Sequence, residues 1–381
     1  MRVDLDTIRP YTDSETVRAL RRISFNPTTI AVSRYLWPQD SVFKLSRLFR
    51  KVDSIDGFQA EVMSKAVESV LQSTSEGLQV RGIENLDPGR KYLFISNHRD
   101  IVMDPALVQY ALFKNGIPLS ELCVGNNLLS SRYVETLMRS NRMVKVFRNL
   151  PPHDMVEFSR LLSSYIREKI SKGESSIWIA HRQGRSKDST DLTSQGIIKM
   201  LEMSGKADFA TDISELRILP VSLSYEYESC DALRARELLI SRDRKYVKAK
   251  GEDLKSILTG IRQNKGHICI SFGKVLTPEE IAEAASLKGN ERFRRICTLL
   301  NDRIHGGYRL WKTNYMGCDL MKGESAYLGR EYSAEELEAF KAYAASRVDG
   351  VCKGLDRNEL LQIFYEIYGN PVKFSQTDAR A

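Results

Sequence analysis

His98 stands in the run Asn97-His98-Arg99-Asp100, with Asp104 following just ahead of Pro105. Histidine titrates closest to neutrality among the common side chains, so next to a carboxylate it can take a proton from a hydroxyl or an amine. Asp104 is the first candidate to orient the ring, and Asp100 is the second. Asp104 before Pro105 is also a good helix N-cap, and one residue can do both. Arg99 can hold a phosphate or close a salt bridge. On one continuous helix, residues six apart differ by about 240° around the axis and could not meet. The pair therefore requires His98 to lie in a turn, with the helix starting after it.

Such a turn must be delivered by a strand. Tyr92 to Ile95 is a short apolar run of the buried-strand type, and Pro105 to Lys114 has a helical pattern stopped at Gly116. The same alternation continues along the chain. Strand-like runs occur at Leu78–Gly82, Leu122–Val124, Met143–Phe147, Ser176–Ala180, Ile218–Tyr225 and His267–Phe272. Helical patterns separate them at Arg132–Arg139, Met155–Lys172 and Ile197–Met203. The expected fold class is α/β, a mixed and largely parallel sheet flanked by helices, with helical extensions at both ends. The expected divisions are a helical region over 1–75, an α/β domain over 76–277 and a helical region over 278–381 packed on the core.

In an open α/β sheet, ligands gather beyond the carboxyl ends of the strands. The residues found there are His98, Arg99, Asp100 and Asp104; Arg148; then His181, Arg182, Gln183, Gly184, Arg185 and Lys187; then Tyr225, Glu226 and Tyr227. One histidine with carboxylates shares this set with several cations. Proton abstraction from a neutral nucleophile that carries a phosphate or carboxylate is the chemistry this set suits. Arg148 and Arg185 are candidate anion ligands, with Lys187 and Arg182 behind them. His181, at a strand end, reads as structural, and His153, His267 and His305 have no visible partners.

Composition narrows the classes. A net charge of +8 and pI near 9.0 call for an acidic partner. The basic residues are dispersed and no RNP, zinc or helix-turn-helix signature accompanies them, so nucleic acid is not expected. Six scattered cysteines without a C-x-x-C pair indicate free thiols, and no metal site is expected. No apolar stretch approaches the roughly 20 residues of a membrane span, and the first thirty residues carry acids rather than an apolar leader. The expected location is the cytoplasm. Ser41–Val52 is a basic amphipathic helix, with Val42, Leu45, Phe49 and Val52 on one face. It is read either as a surface helix packed on the core or as an interfacial anchor.

Residues 78–230 resemble the glycerolipid acyltransferases, which acylate glycerol-3-phosphate or lysophosphatidic acid. Four blocks appear in order: Asn97-His98-Arg99 with the downstream aspartate, Asn141 to Arg148, Gln183-Gly184-Arg185-Ser186, and Leu219-Pro220-Val221-Ser222. The resemblance implies that His98 is the general base and Asp104 its orienting partner. It places Arg99, Arg148, Gln183, Gly184, Arg185, Lys187 and Pro220 around the acceptor. It implies acyl-CoA or acyl carrier protein as co-substrate without a separate cofactor, a phosphorylated glycerolipid acceptor, and a peripheral position on an anionic membrane surface at its inner face. Three departures stand out. The His98–Asp104 spacing is one residue longer than usual, the third-block glutamate is Gln183, and the second-block glycine and phenylalanine are not distinct. A non-catalytic lipid or carrier-protein binding module, and acylation of an amino-acid lipid precursor, are the alternatives.

Overall fold

Short runs of Leu, Ile, Val and Phe, each ended by a polar or glycine-containing turn, pair here into one sheet. The computed structural model describes residues 4–128 and 131–375. The strands are β1 Gly77–Arg81, β2 Leu93–Ser96, β3 Glu121–Gly125, β4 Met143–Val146, β5 Ile177–Ala180, β6 Ile218–Tyr225 and β7 His267–Phe272. They lie in the order β1-β7-β6-β2-β5-β3-β4, and every pairing is parallel except β6 with β7. The fold is the expected α/β class with a mixed, mostly parallel sheet. β2 sits at its centre, so the turn after β2 emerges in the middle of the carboxyl edge.

Side chains alternate across that sheet and need a layer on each face. Leu93 and Ile95 pack with Phe158, Leu162 and Ile166 of the Pro152–Ser171 helix and with Ile296 and Leu300 of the Glu291–Gly306 helix. Phe94 packs the other way, with Met103, Leu107 and Ala111 of the Met103–Lys114 helix and Val67 and Leu71 of the Ser64–Thr74 helix.

The two ends of the chain build further helical layers. Asp231–Asp243, Lys312–Lys322, Ala334–Asp349 and Arg357–Ser375 enclose Phe340, Phe364 and Tyr368. The second and fourth of these cross at glycines: a Cβ on Gly317 would stand 2.6 Å from the Cβ of Tyr368, so the contact requires that no side chain be there.

At the other end, Leu20, Ile23, Leu45, Phe49, Phe58 and Val62 form a separate apolar cluster. That cluster decides between the two readings of the basic amphipathic segment. Its helix is Lys44–Lys51, and Leu45, Phe49 and Val52 are buried against the rest of the protein. Three of the four residues of the apolar face are thus covered by protein and Val42 is half-buried, which supports the reading as a surface helix packed on the core over the interfacial anchor.

Pro220, of the fourth block, lies within the sheet. It is buried inside β6, between β2 and β7, in register with Ile95. Its carbonyl accepts the Gly273 N–H at 2.9 Å just past the end of β7. The strand bears a proline there because the antiparallel ladder with β7 begins only at Val221.

Candidate active site

The chain leaves β2 at Ser96, makes an irregular turn and enters the Met103–Lys114 helix. Asp100 holds that turn: its Oδ1 accepts the backbone N–H groups of Val102 at 2.8 Å and Met103 at 2.7 Å. Asp100, two residues ahead of the N-cap Val102, thus satisfies the amides at the helix entry, and Asp104 lies inside the first turn rather than at the N-cap position that the sequence had offered it. Asp104 Oδ2 accepts from Nδ1 of His98 at 2.8 Å and from the backbone N–H of Arg99 and Asp100 at 2.6 and 2.9 Å. Its Oδ1 accepts from the Tyr225 hydroxyl at 2.6 Å. The extra residue in the spacing is absorbed by the turn, and the imidazole and carboxylate meet. Asp104 is fully buried while the His98 side chain keeps 13% of its surface.

An ionised carboxylate only accepts hydrogen bonds, so this contact puts the imidazole proton on Nδ1 and leaves a lone pair on Nε2. Trp178 meets the ring edge-on, with centroids 5.9 Å apart. The Tyr225 hydroxyl is held well above its ordinary pKa by burial and by the Asp104 carboxylate, so it remains a donor. Tyr225 was visible in the sequence only as a residue at a strand end; nothing there pointed to Asp104.

Behind the histidine lies a buried ion network. Arg99 donates from Nε and Nη2 to Asp191 Oδ2, at 3.0 and 2.7 Å, and from Nη1 to Glu228. Glu228 accepts in turn from Arg234 at 2.8 Å, and Arg234 also reaches the Ser189 hydroxyl at 2.7 Å and the Lys187 carbonyl at 3.0 Å. Tyr308 and Asn97 also donate to Asp191. Of the two roles open to Arg99, the structure seats it in the salt bridge. The guanidinium is buried and occupied, with no face for a phosphate. Burial disfavours every charge in this set, but the Arg99 guanidinium holds the Asp191 carboxyl well below the usual carboxylate range. Asp191, Glu228 and Tyr308 carry no local motif, since Asp191 and Glu228 lie 92 and 129 residues from Arg99 and Tyr308 lies 117 from Asp191; only Glu228 and Arg234, six apart, are close in sequence.

The loop after β5 closes on the same turn. Ser186 donates its backbone N–H to the His98 carbonyl at 2.7 Å, which puts Arg185 next to the histidine's own peptide. Arg185 is buried, and its Nη1 has no partner among the described residues. Gly184 turns the loop with a φ of +76°, which only glycine adopts freely. Gln183 is exposed and Arg182 half-buried. Lys187 is bound to Glu237, and burial together with the Arg185 charge pushes its amine down to about 8, with Glu237 opposing.

Arg148 follows β4, half-buried beside Gly125, and its guanidinium makes no hydrogen bond or ion pair among the described residues. Burial lowers its pKa and Asp253 opposes that. Asp253 lies within electrostatic reach of both Arg148 and Arg185 and is itself bound by Lys248 at 2.6 Å and Asn127 at 3.3 Å.

The other histidines fall elsewhere. His181 is fully buried with neither ring nitrogen bonded among the described residues. His305 donates from Nε2 to the Thr190 carbonyl at 3.1 Å. Among the described residues, Glu76, Glu226 and His267, and separately His153, Asp154 and Glu157, bring possible metal-ligand atoms within 4.8 Å. Neither grouping contains a residue of the His98 site.

Residues 77–224 match the acyltransferase family model, which spans β1 to the end of β6 and includes all four sequence blocks. This chain carries a domain of the acyltransferase family. Among solved structures, it is similar to the 1-acyl-sn-glycerophosphate (LPA) acyltransferase PlsC from Thermotoga maritima. That match covers 77% of this chain and 99% of the other at 12% identity, with a TM-score of 0.39. A likeness that slight transfers no residue's role. No curated protein matches significantly. The helical layers on either side of the acyltransferase domain lie outside the family match.

Proposed function

We propose that this acyltransferase moves a fatty acyl group from a thioester donor, acyl-CoA or acyl carrier protein, to the hydroxyl of a glycerophosphate or lysophospholipid. The observation that carries the proposal is the His98 Nδ1–Asp104 Oδ2 contact of 2.8 Å, which leaves Nε2 available as a base. In the proposed step, Nε2 takes the acceptor's hydroxyl proton as the oxygen bonds to the thioester carbonyl carbon. The carbon–sulfur bond then breaks, and the proton on Nε2 passes to the departing thiolate. No acyl-enzyme is needed, and Asp104 stays a carboxylate that steadies the imidazolium.

Arg185 and Arg148 supply the anion site. Among the described residues, Arg185 is buried with an unpartnered nitrogen and the Arg148 guanidinium has no hydrogen bond or ion pair, and a guanidinium offers a planar fork for phosphate oxygens. Gln183 and Gly184 shape the loop that carries Arg185, and Lys187 stands behind it. Among the described residues, no helix is long and apolar enough to cross a membrane. A lipid acceptor therefore calls for contact with the membrane surface, which we place at its inner face.

The test is transfer by the purified protein, offered acyl-CoA or acyl carrier protein with glycerol-3-phosphate and lysophosphatidate. His98→Ala should lower the rate by roughly 10²–10⁴-fold while leaving the melting temperature close to that of the native chain. A His98→Ala protein that transfers as fast as the native one would overturn the mechanism.

A further inference from the structure

We infer that residues 244–262 form the surface on which this protein sits against an anionic lipid bilayer. Val247 is 80% exposed, Leu254 60% and Leu258 40%. Leu254 and Leu258 are one turn apart on the Glu252–Arg262 helix, so both project from the same face, with Lys255 and Arg262 exposed beside them. The preceding segment is tied to this helix: Lys248 bonds Asp253 at 2.6 Å, and the Ala249 N–H bonds Glu252 at 3.0 Å. Arg244, Lys245, Lys250 and Lys255 are exposed without an ion pair among the described residues. Arg262 lies over the ring of Tyr35, itself 41% exposed, so the patch continues onto a neighbouring helix. A groove of about 610 Å³ runs along this face, lined by both leucines, Lys255, Arg262 and Arg347.

The mixture favours lipid. Aliphatic tips this exposed can sink below the headgroups while the surrounding cations stay level with the phosphates. The position favours it too. Asp253, at the start of the helix, accepts from Asn127 at 3.3 Å just beyond the carboxyl end of β3, and at the other end a Cβ on Gly260 would stand 2.1 Å from the Asp100 carboxylate. The helix thus lies across the edge of the sheet from which His98 emerges. A lipid acceptor drawn from a bilayer held there would reach the site without crossing water. Only this last step rests on the proposed reaction; the binding itself does not.

The measurement is co-sedimentation of the full chain with phosphatidylcholine vesicles, with and without roughly one third phosphatidylglycerol. Wild type should bind the anionic vesicles and release as salt rises. Lys250→Glu/Lys255→Glu and Leu254→Asp/Leu258→Asp should each weaken partitioning about tenfold or more. Arg50→Glu/Lys51→Glu makes the same change in net charge on the helix whose apolar face is buried, and should change partitioning less than about twofold. The surface variants should still acylate water-soluble glycerol-3-phosphate at the wild-type rate. Vesicle binding equal to wild type in both surface variants overturns the inference. So does binding through these residues to acyl carrier protein, or to a second copy of the chain, without binding to vesicles. Absence of acyl transfer in the wild type, with the vesicle results as expected, would sink the proposed reaction and leave this surface standing.

Discussion

Replacing His181 with leucine isolates a pH dependence built into the end of β5. His181 is fully buried beneath the loop that carries Arg185, and neither ring nitrogen has a partner among the described residues. Burial pushes its pKa from 6.5 down to about 4; Asp191 opposes the shift and Arg182 adds to it. Between those values the unfolded chain binds a proton that the folded chain refuses. Stability from this residue is therefore complete above about pH 6.5 and is lost as pH falls towards 4, for a total of about 3 kcal/mol. Between pH 7 and pH 5 the loss from this one group is about 2 kcal/mol.

Leucine is similar in bulk and removes two buried polar atoms, so its packing contribution is an offset that does not change with pH. Asp191 titrates well below this window and adds nothing to it. Urea unfolding of both proteins at pH 7 and pH 5 should show the native chain losing about 2 kcal/mol more than His181→Leu. A gap between the two proteins that is the same at both pH values would refute the reasoning. It would mean that the imidazole is either solvated or already charged in the folded state.

Three further outcomes follow from the site. Asp104→Asn removes the acceptor that fixes the His98 tautomer, and should lower kcat by roughly 10²-fold or more with little change in KM, as measured in steady-state transfer assays. Arg99→Met leaves the buried Asp191 and Glu228 short of their shared cation. Urea denaturation should show a loss of about 3–5 kcal/mol at pH 7. Arg185→Gln should raise KM for a phosphorylated acceptor about tenfold or more while leaving KM for the acyl donor unchanged, because a charged hydrogen bond is worth about 1.5–3 kcal/mol.

Much of the sheet was legible because short apolar runs between polar turns have few alternatives. All seven strands lie within a residue or two of the segments that the sequence marks. The helices at Asp231–Asp243 and Glu252–Arg262 were not marked, and Lys312–Lys322 was covered only by the general helical reading of 278–381. The first is largely charged with a weak apolar periodicity, and in the third Met, Cys and Tyr do the work of a leucine stripe. The Lys44–Lys51 helix shows the converse limit. Its amphipathicity was plain, yet periodicity says only that one face is apolar, not whether protein or lipid covers it. The partner was Phe58 and its neighbours, and only the tertiary structure could reveal them.

The site divides the same way. His98 and Asp104 are close in sequence, so a turn of the right length is all that their meeting requires, and Asp100 holds that turn by satisfying the amides at the helix entry. Arg99 is adjacent to both, but its fate was set by Asp191 and Glu228, which are 92 and 129 residues further along. One short motif thus carries both the proposed base and a buried ion pair: the His98 side chain keeps part of its surface, while Arg99 and Asp100 are buried. The buried arginine reaches, through Glu228 and Arg234, the loop that bears Lys187 and Ser189. Glu228 also donates its backbone N–H to the Tyr368 hydroxyl at 3.0 Å, which ties it to the last helix. The C-terminal layer, outside the acyltransferase match, is thereby joined to the turn that holds the histidine.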